Sequence, residues 1–367
     1  MKLLHTADLH IGKRLNDISL IEDQEHILGQ IADIAESEGV SGVLVSGDIY
    51  DRSTPAAEAM TLFDSFLTRL KDLGIEVFLV SGNHDSDDRI EYFSGFLKNA
   101  GINVYGRFDG KLRRFDIDDG DERVSLHLLP FLKPHTVRPF TKEKVESYED
   151  AVRIALSFAE CEEDRVNILL SHQFVTGASV SDSEEHAVGG LDNVSAELFR
   201  DFDYVALGHI HKPQSVTRPT LRYSGSPLKY SLSEMDHKKS VTLIEIKGKE
   251  LVLTEKPLTP LRDVREIKGY LNDILNMDYS EDFVKITLQD TLVMPDARVT
   301  ASMVFPNIIR FVSSLTVDGD PTEDTVSAEE LSPEELFVGF YRSYSGGDEP
   351  GSEMIEVIRK LLDGEVD

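Results

Sequence analysis

The sequence predicts a layered α/β protein, because short apolar runs alternate with helical patterns through the first 250 residues. Each run is nearly continuous, as expected for a strand that is buried on both of its faces. The predicted strands are residues 3–6, 42–46, 76–80, 166–171 and 204–207.

One amphipathic helix is predicted between the first and second of these strands, and another between the second and third. Their apolar residues recur at helical spacing, so that each set forms a stripe along one face. The two stripes consist of Ile27, Leu28, Ile31, Ile34 and Ala35, and of Phe63, Phe66, Leu67 and Leu70. We interpret both stripes as packing faces of the core and not as parts of a cofactor site.

The pattern changes after residue 222 and divides the chain into three predicted parts. Residues 240–246 and 250–255 form paired β segments around Lys247-Gly248-Lys249, which is a hairpin signal. Beyond Pro257, short strands alternate with short helices. The predicted domains are a main domain of residues 1–257, a small α/β unit of residues 258–317 and an acidic tail of residues 318–367.

The tail carries two predicted amphipathic helices. Ser332-Pro333-Glu334-Glu335 is a capping box with proline at the first helical position. The apolar stripes that follow are Leu336, Phe337, Phe340 and Tyr341, and then Met354, Ile355, Ile358, Leu361 and Leu362. These helices either fold back on the body of the protein or form a docking site for another protein, and the sequence leaves both alternatives open.

The charge balance argues against a simple nucleic-acid-binding surface. The chain has 38 basic and 67 acidic residues and a formal charge of −29, whereas proteins that bind duplex DNA usually carry a basic face. The excess is uneven, since residues 318–367 hold 15 acidic and 3 basic side chains. If nucleic acid is bound, we expect metal ions and small basic groups such as Lys13-Arg14 and Arg113-Arg114 to contact it.

Composition and length also limit the class of protein. The longest apolar runs, such as residues 166–170, are too short to span a membrane. The single cysteine, Cys161, excludes an intramolecular disulfide framework and a cysteine-based zinc site. The chain opens into a strand without a basic and apolar leader, so we expect a location in the reducing cytoplasm.

Five short polar motifs follow the predicted strands directly. They are Asp8-Leu9-His10, Gly47-Asp48-Ile49-Tyr50-Asp51, Gly82-Asn83-His84-Asp85, Ser171-His172 and Gly208-His209-Ile210-His211. Open α/β sheets build their sites at the carboxyl ends of strands, so these side chains are expected to meet in one pocket. On a strand, the spacing of two would place Asp8 and His10 on one face, and the same holds for His209 and His211. The glycines at 47, 82 and 208 permit sharp turns.

The residue types in these motifs predict a metal site. Imidazole, carboxylate and amide ligands without thiolate favour divalent manganese, iron or zinc. The ligands are numerous enough for two ions, and a pair of ions is a common device for hydrolysing phosphate esters. A single motif of this kind arises by chance, but five in this order are a specific signal.

The series Asp-x-His, Gly-Asp-x-x-Asp, Gly-Asn-His-Asp, Ser-His and Gly-His-x-His resembles that of the calcineurin-like metallophosphoesterase superfamily. Longer stretches at residues 5–12, 188–194, 202–214 and 223–227 resemble the SbcD family, the nuclease subunits of bacterial SbcCD complexes. The resemblance covers the whole chain. It implies a metallophosphoesterase sandwich of two mixed β-sheets flanked by helices, with a small α/β capping domain and C-terminal helices.

The resemblance also implies a role for each motif residue. One metal ion would be held by Asp8, His10, Asp48 and His211, and the other by Asp48, Asn83, His172 and His209. His84 would face the scissile phosphate as a catalytic residue. Asp85, and less specifically Asp51, would orient an imidazole, with local turn chemistry as the alternative for both. The remaining histidines match no ligand spacing; they are His5, His26, His127, His135, His186 and His237.

The activity implied by the resemblance is a manganese-dependent DNA nuclease. It would act as a 3′→5′ exonuclease on duplex ends and as an endonuclease on single strands and hairpins, in DNA repair, recombination and replication. The implied partners are a second copy of the chain, through helices near 60–70 and 88–100, and an SbcC-type coiled-coil ATPase. The tail helices would dock on that ATPase.

Two other functions remain open from the sequence. A phosphatase or cyclic-nucleotide phosphodiesterase would use the same metal site, and the acidic charge favours it slightly. Against it stand the extra capping unit, the tail helices and the residues Ser53 and Asp85, which replace a glycine and a glutamate of the protein-phosphatase pattern. A scaffold that binds DNA ends without cutting would be expected to lack some ligands, yet every expected position is filled.

Overall fold

The computed structural model describes residues 1–92, 94–184, 193–290 and 296–313, together with 337, 338, 341, 350, 351, 354 and 355. Most of the two predicted tail helices, and the predicted helix start at Ser332, lie outside the described residues. Four described residues of the predicted stripes are helical, namely Phe337, Tyr341, Met354 and Ile355.

More of the described residues lie in strands than in helices. The first eight are β1 (Lys2–Thr6), β2 (Arg14–Leu15), β3 (Ile18–Ser19), β4 (Gly42–Ser46), β5 (Glu76–Val80), β6 (Ile102–Tyr105), β7 (Arg113–Asp119) and β8 (Glu122–Leu129). The next nine are β9 (Val166–His172), β10 (Tyr204–Gly208), β11 (Gln214–Val216), β12 (Arg218–Tyr223), β13 (Ser240–Lys247), β14 (Glu250–Pro257), β15 (Val264–Gly269), β16 (Phe283–Leu288) and β17 (Ile308–Ser313).

Most of the helices are short, and the two long ones carry the predicted apolar stripes of residues 27–35 and 63–70. The helices are α1 (Ile21–Glu38), α2 (Ala57–Asp72), α3 (Asp87–Glu91), α4 (Ser94–Leu97), α5 (Pro134–Val137), α6 (Tyr148–Leu156), α7 (Leu271–Leu275) and α8 (Ala297–Ala301). Local sequence explains their ends. Gly39 closes α1 in a left-handed conformation with φ of 61°, and Ser147 begins α6 with a capping box to Asp150.

Two six-stranded sheets form the main body. The first has the order β14-β13-β1-β4-β5-β6, and the second has the order β11-β12-β10-β9-β8-β7. In the first sheet β1, β4, β5 and β6 run parallel, whereas β13 joins β1 antiparallel. In the second, β8, β9, β10 and β12 run parallel, and β7 and β11 are antiparallel edges. The prediction of two mixed sheets flanked by helices is therefore confirmed.

The core lies between the two sheets and under the helices that cover them. Alternation along β1 illustrates the division, since Leu3 faces the second sheet and Leu4 faces the side covered by α1 and α2. Both predicted helical stripes lie against the first sheet, with Ile31 and Leu70 fully buried. On the far side, Val152 of α6 packs with the second sheet.

A separate three-stranded parallel sheet follows β14. Its order is β15-β16-β17, and α7 and α8 cover one face through a small apolar cluster of their own. Charged contacts attach it to the main body. Arg262 pairs with Asp23 of α1, and Lys229 Nζ lies 2.8 Å from a carboxylate oxygen of Asp263. None of the helices in the described part of the chain has the length and apolar character needed to cross a bilayer.

Candidate metal centre

Five strand ends from the two main sheets converge at one place. Within each sheet the strands concerned are parallel neighbours, so their carboxyl ends lie along one edge. Asp8 and His10 follow β1, Asp48 follows β4, Asn83 and His84 follow β5, His172 closes β9, and His209 and His211 follow β10. The structure thus brings together all of the predicted metal ligands.

The local geometry that brings them together is not the one that the sequence predicted. The predicted alternation on a strand fails, because β1 ends at Thr6 and β10 ends at Gly208. Asp8, His10 and His209 instead adopt positive φ angles of 53°, 42° and 102°. Such angles are rare for residues other than glycine, and they concentrate at functional sites, where they orient particular side chains. The side chains therefore converge through strained turns.

Two glycines let the sheets approach each other at the site. A Cβ atom on Gly47, whose φ is 80°, would lie 2.5 Å from Nδ1 of His172. A Cβ atom on Gly208 would lie 1.8 Å from the carbonyl oxygen of Ser46. Both positions need glycine for close approach, and Gly47 needs it for its left-handed backbone conformation as well.

The first cluster comprises Asp8, His10 and His211, with Asp48 at its edge. Nε2 of His10 lies 3.1 Å from Nε2 of His211 and 3.6 Å from Oδ2 of Asp48. One potential ligand atom from each of Asp8, His10 and His211 lies within 4.8 Å of the others. All four side chains are buried. Their nitrogen and oxygen atoms therefore point at a common centre.

The second cluster comprises Asn83, His172 and His209, again with Asp48 at its edge. Oδ1 of Asn83 lies 3.0 Å from Nε2 of His172 and 2.9 Å from Nδ1 of His209. Oδ2 of Asp48 lies 3.4 Å from Nε2 of His172. Asp48 therefore reaches both clusters with one carboxylate oxygen.

These distances fit divalent cations. Two ligands about 2.1 Å from one ion, at tetrahedral or octahedral angles, lie roughly 3.0–3.4 Å apart. Among the described residues, several buried polar atoms at the site also lack a hydrogen-bond partner, and they include Oδ2 of Asp8. Leaving such an atom without a partner is costly. The donor set of imidazole, carboxylate and amide oxygen suits manganese, iron or zinc.

Burial and mutual charge displace the pKa values at the site. Burial raises the pKa of Asp8 to about 6, and it lowers the pKa of His209 to about 3. For His172, burial opposes the charged ring, but the carboxylates of Asp48 and Asp8 raise its pKa to about 9. Since a metal ion takes the place of the proton on a ligand, those same carboxylates favour a cation at His172.

His84 lies beside the two clusters and is partly exposed. Its Nδ1 lies 3.1 Å from the backbone carbonyl of Asp51, and its backbone N–H donates to Oδ1 of Asp48 at 2.9 Å. Its Nε2 lies 4.0 Å from Oδ2 of Asp48, and its ring meets that of His10 edge-on with centroids 4.8 Å apart. One potential ligand atom from each of His84, His10 and Asp48 lies within 4.8 Å of the others. The ring is thus fixed beside the site with Nε2 on the side of Asp48.

Asp85 and Asp51 differ in their surroundings. The carboxylate of Asp85 accepts backbone N–H groups from Gly82, Ile49 and Tyr50, at 2.9–3.1 Å. This is the turn chemistry that the sequence left as the alternative to orienting an imidazole. Asp51 instead accepts from Lys13 at 2.7 Å, with Nδ1 of His10 at 3.8 Å.

A group of buried polar side chains behind His211 was missed by reasoning from the sequence. Glu234, fully buried, lies 3.2 Å from Nδ1 of His211 and pairs with the buried ammonium of Lys239. Burial would raise the pKa of Glu234, but His211 and Lys239 outweigh it and hold that pKa well below its usual range. Glu234 lies 23 residues beyond His211 and belongs to no motif. In the sequence, its one sign is that it is the single acidic residue at 226–235, where serines and apolar residues predominate.

One of the two predicted basic groups, Arg113-Arg114, is paired with carboxylates. Arg113 pairs with Glu91 and Asp109, and Arg114 pairs with Asp116 and Glu162. These ion pairs reduce the positive charge that Arg113 and Arg114 could offer to nucleic acid, and their contact with nucleic acid stays a prediction.

Comparisons with known proteins match two parts of this chain to described families. Residues 1–213 match the family described as calcineurin-like phosphoesterase, and residues 260–344 match SbcD_C, described as type 5 capsule protein repressor C-terminal domain. The SbcD subunit of the nuclease SbcCD from Staphylococcus epidermidis is 32% identical over 94% of this chain and 93% of its own length.

A second relative with the same description, from Staphylococcus saprophyticus subsp. saprophyticus, is 29% identical over 94% of each chain. A solved structure of a dimetal phosphatase from Danio rerio covers 71% of this chain and 98% of its own, at 12% identity and a TM-score of 0.41. From the family match and the first relative, the chain belongs to the calcineurin-like phosphoesterase family and, within it, to the SbcD family of SbcCD nuclease subunits.

Proposed function

We propose that this chain is a DNA nuclease that hydrolyses phosphodiester bonds with two divalent cations, most naturally Mn²⁺. The observation that carries the proposal is the pair of ligand clusters that share Asp48. Asp8, His10, Asp48 and His211 would hold the first cation, and Asp48, Asn83, His172 and His209 the second. When bound, such a pair supplies positive charge to the phosphoryl oxygens and lowers the pKa of a water molecule.

His84 acts on the leaving group in this proposal. The carbonyl oxygen of Asp51 accepts the proton on Nδ1, which fixes the tautomer and aims Nε2 at the site. A protonated Nε2 stabilises the charge that develops on the phosphoryl oxygens or passes its proton to the leaving oxygen. Asp85 contributes indirectly, because it ties together the turns that carry Asp48 and Asn83.

DNA is the proposed substrate, as single strands, duplex ends cut from 3′ to 5′, and hairpins. The names of the Staphylococcus relatives, which describe nuclease subunits, support this choice. An SbcC-type coiled-coil ATPase is the proposed partner, docked on the tail helices. Such a partner would supply the basic surface that a chain of charge −29 lacks. The complex would work in the cytoplasm.

A second copy of the chain is the other proposed partner. Met60 on α2, with Tyr92 and Phe96 near α3 and α4, are 52%, 68% and 74% exposed. Met60 and Tyr92 line an apolar cavity of about 600 Å³, together with Phe63 and Leu67. Exposed apolar groups around a cavity are typical of an interface. In sedimentation experiments, Met60→Glu is expected to shift the chain toward the monomer.

The matched control for the dimer is Met303→Glu, since Met303 is 73% exposed on the three-stranded unit. That variant should sediment as the wild type does. A wild-type chain that sediments as a monomer at micromolar concentration would contradict the proposed homodimer.

The nuclease itself is tested with purified chain, Mn²⁺ and circular single-stranded DNA, beside a blunt duplex and bis-p-nitrophenyl phosphate. Wild type should cut the circle, and Asp48→Asn should not. The control is Asp72→Asn, which removes an exposed carboxylate on α2. Rapid hydrolysis of the small diester without DNA cleavage would favour the phosphodiesterase alternative, to which the acidic charge also points.

A further inference from the structure

The connection between β12 and β13, residues 224–239, reaches the metal centre from a part of the chain that neither family match covers. The matches end at residue 213 and resume at residue 260. The connection includes Glu234, whose side chain is fully buried. A buried carboxylate is costly unless it is paired and hydrogen-bonded, so its contacts indicate its purpose.

Those contacts centre on the ring of His211. One oxygen of Glu234, Oε1, lies 3.2 Å from Nδ1 of His211 and accepts the hydroxyl of Ser183, whose oxygen itself lies 2.9 Å from the same ring nitrogen. The same oxygen accepts the backbone N–H of Tyr230 at 3.2 Å. The other oxygen, Oε2, pairs with Lys239. Since Nδ1 faces this carboxylate, the remaining nitrogen of the ring, Nε2, points at the first cluster.

The backbone of His211 is held by the same network. Its N–H donates to Glu184 at 2.7 Å. Its carbonyl oxygen accepts from Lys239 at 2.9 Å and from the N–H of Ser226 at 3.2 Å. The ring and both sides of the peptide are therefore fixed by charged or polar partners.

The connection also covers the second histidine of the first cluster. The ring of Tyr230 meets His10 and His211 edge-on, with centroids 5.5 and 5.7 Å away. Its hydroxyl donates to the carbonyl oxygen of Leu9, beside His10. One segment thus contacts both imidazoles of the first cluster.

Stability alone does not account for the buried pair of Glu234 and Lys239. Desolvation offsets most of the attraction within such pairs, and well-packed apolar residues often replace them without loss of stability. A carboxylate on the outer nitrogen of a metal-binding imidazole, however, fixes its orientation and raises its basicity. The geometry of Glu234 is of this kind.

We propose that Glu234 is a positioning residue that holds the His211 ring with Nε2 toward the first cation, while Lys239 balances the carboxylate and anchors the His211 carbonyl. The inference rests on the proposed two-cation site. It concerns the affinity of one cation and leaves the second cluster unchanged, because no ligand of that cluster is among the partners of Glu234 in the described part of the chain.

The test is calorimetric titration of the full chain with Mn²⁺ alone. Wild type should bind two ions. Glu234→Gln should weaken one of the two by about 10–100-fold and leave the other at the wild-type affinity. Glu250→Gln, which changes an exposed glutamate at the start of β14, should match the wild type.

Glu234→Gln leaves the ammonium of Lys239 buried without its carboxylate, so the variant is expected to lose thermal stability as well. The double variant Glu234→Gln/Lys239→Met separates the two effects. We expect it to recover thermal stability but not the affinity of the weakened ion. Recovery of both would assign Glu234 a purely structural role and overturn the proposal, as would wild-type affinity in the single variant.

A double-mutant cycle with His211 identifies the imidazole through which Glu234 acts. In a His211→Ala background, Glu234→Gln should weaken Mn²⁺ binding no further. An additional loss in that background would show that Glu234 acts elsewhere and overturn the proposal. A wild-type chain that binds no Mn²⁺ would instead remove the proposed two-cation function, and the two failures are thereby distinguishable.

Discussion

The two ligand clusters of this site share Asp48 but are held in different ways. In the first, the ring nitrogen of His211 that faces away from the site lies against Glu234, a buried carboxylate from a distant connection. In the second, the corresponding nitrogen of His172 donates to the backbone carbonyl of Ser46 at 2.8 Å. His209 is held by ring packing, with Phe131 stacked on it at 6.3 Å.

The difference shows that one site can depend on two kinds of support. The first cluster depends on side chains, so substitutions far along the chain should loosen it. The second depends on the close approach of β4 and β9, which Gly47 and Gly208 permit. Substitutions of these two glycines should therefore affect the second cluster more than the first.

The largest effect is expected from Asp48→Asn, because the change weakens both clusters at once. Loss of charge stabilisation worth several kcal/mol at each cation should lower DNA cleavage roughly 10⁴-fold or more. Calorimetry should show both Mn²⁺ ions weakened. If one ion kept its wild-type affinity, Asp48 would not be shared.

His84→Ala is expected to reduce cleavage without loosening either cluster. Removing a group that moves a proton should cost about 10³-fold in rate, while two Mn²⁺ ions still bind. His26→Ala, at an exposed histidine on α1, serves as the control and should cleave normally. Loss of an ion in His84→Ala would make His84 a ligand, because it lies within ligand distance of His10 and Asp48.

Gly47→Ala tests the backbone support of the second cluster. The new Cβ atom would displace the His172 ring, and a shift of about 1 Å at a catalytic group costs on the order of 10²-fold in rate. Gly74→Ala is a close control, since Gly74 has a φ of 74° and no atoms within 4 Å of the added carbon. It should cost about 1 kcal/mol of stability and no activity. Equal losses of cleavage in both variants would contradict this interpretation.

Phe131→Leu should have the smallest effect, and on the second ion alone. It removes the ring that stacks on His209 and meets His172 edge-on at 6.0 Å. Aromatic pairs are worth about 0.5–1.5 kcal/mol, so Mn²⁺ affinity should fall about 2- to 10-fold. Phe158→Leu, at an exposed position after α6, is the control. Weakening of both ions would erase the distinction between the clusters.

Much of the fold is encoded locally and could be predicted. Buried parallel strands produce short apolar runs, and both β4 and β5 begin and end at the predicted residues. The main helical stripes are likewise visible, because one face of each helix packs on the sheet. The short strand β6 and the short helix α5 were not predicted, since segments of four residues carry little periodicity, and the helices near 88–100 were expected only from the family resemblance.

The site was predictable in its members but less so in its construction. Motifs at strand ends identified the clustered side chains, whereas the left-handed turns at Asp8 and His10 are held by backbone hydrogen bonds to Gly47 and Asp48, 38–39 residues further along the chain. Glu234 approaches His211 through tertiary structure alone. Arg113 likewise meets Glu91, 22 residues away, only once β6 and β7 are in place. Such pairings leave no local trace in the sequence.

Anomalous diffraction from crystals of the full chain grown with Mn²⁺ would test the shared two-cation site most directly. We expect two peaks about 3.5–4 Å apart, one among Asp8, His10 and His211 and the other among Asn83, His172 and His209, with Asp48 between them. A single peak, or two peaks that do not share Asp48, would contradict the proposed site.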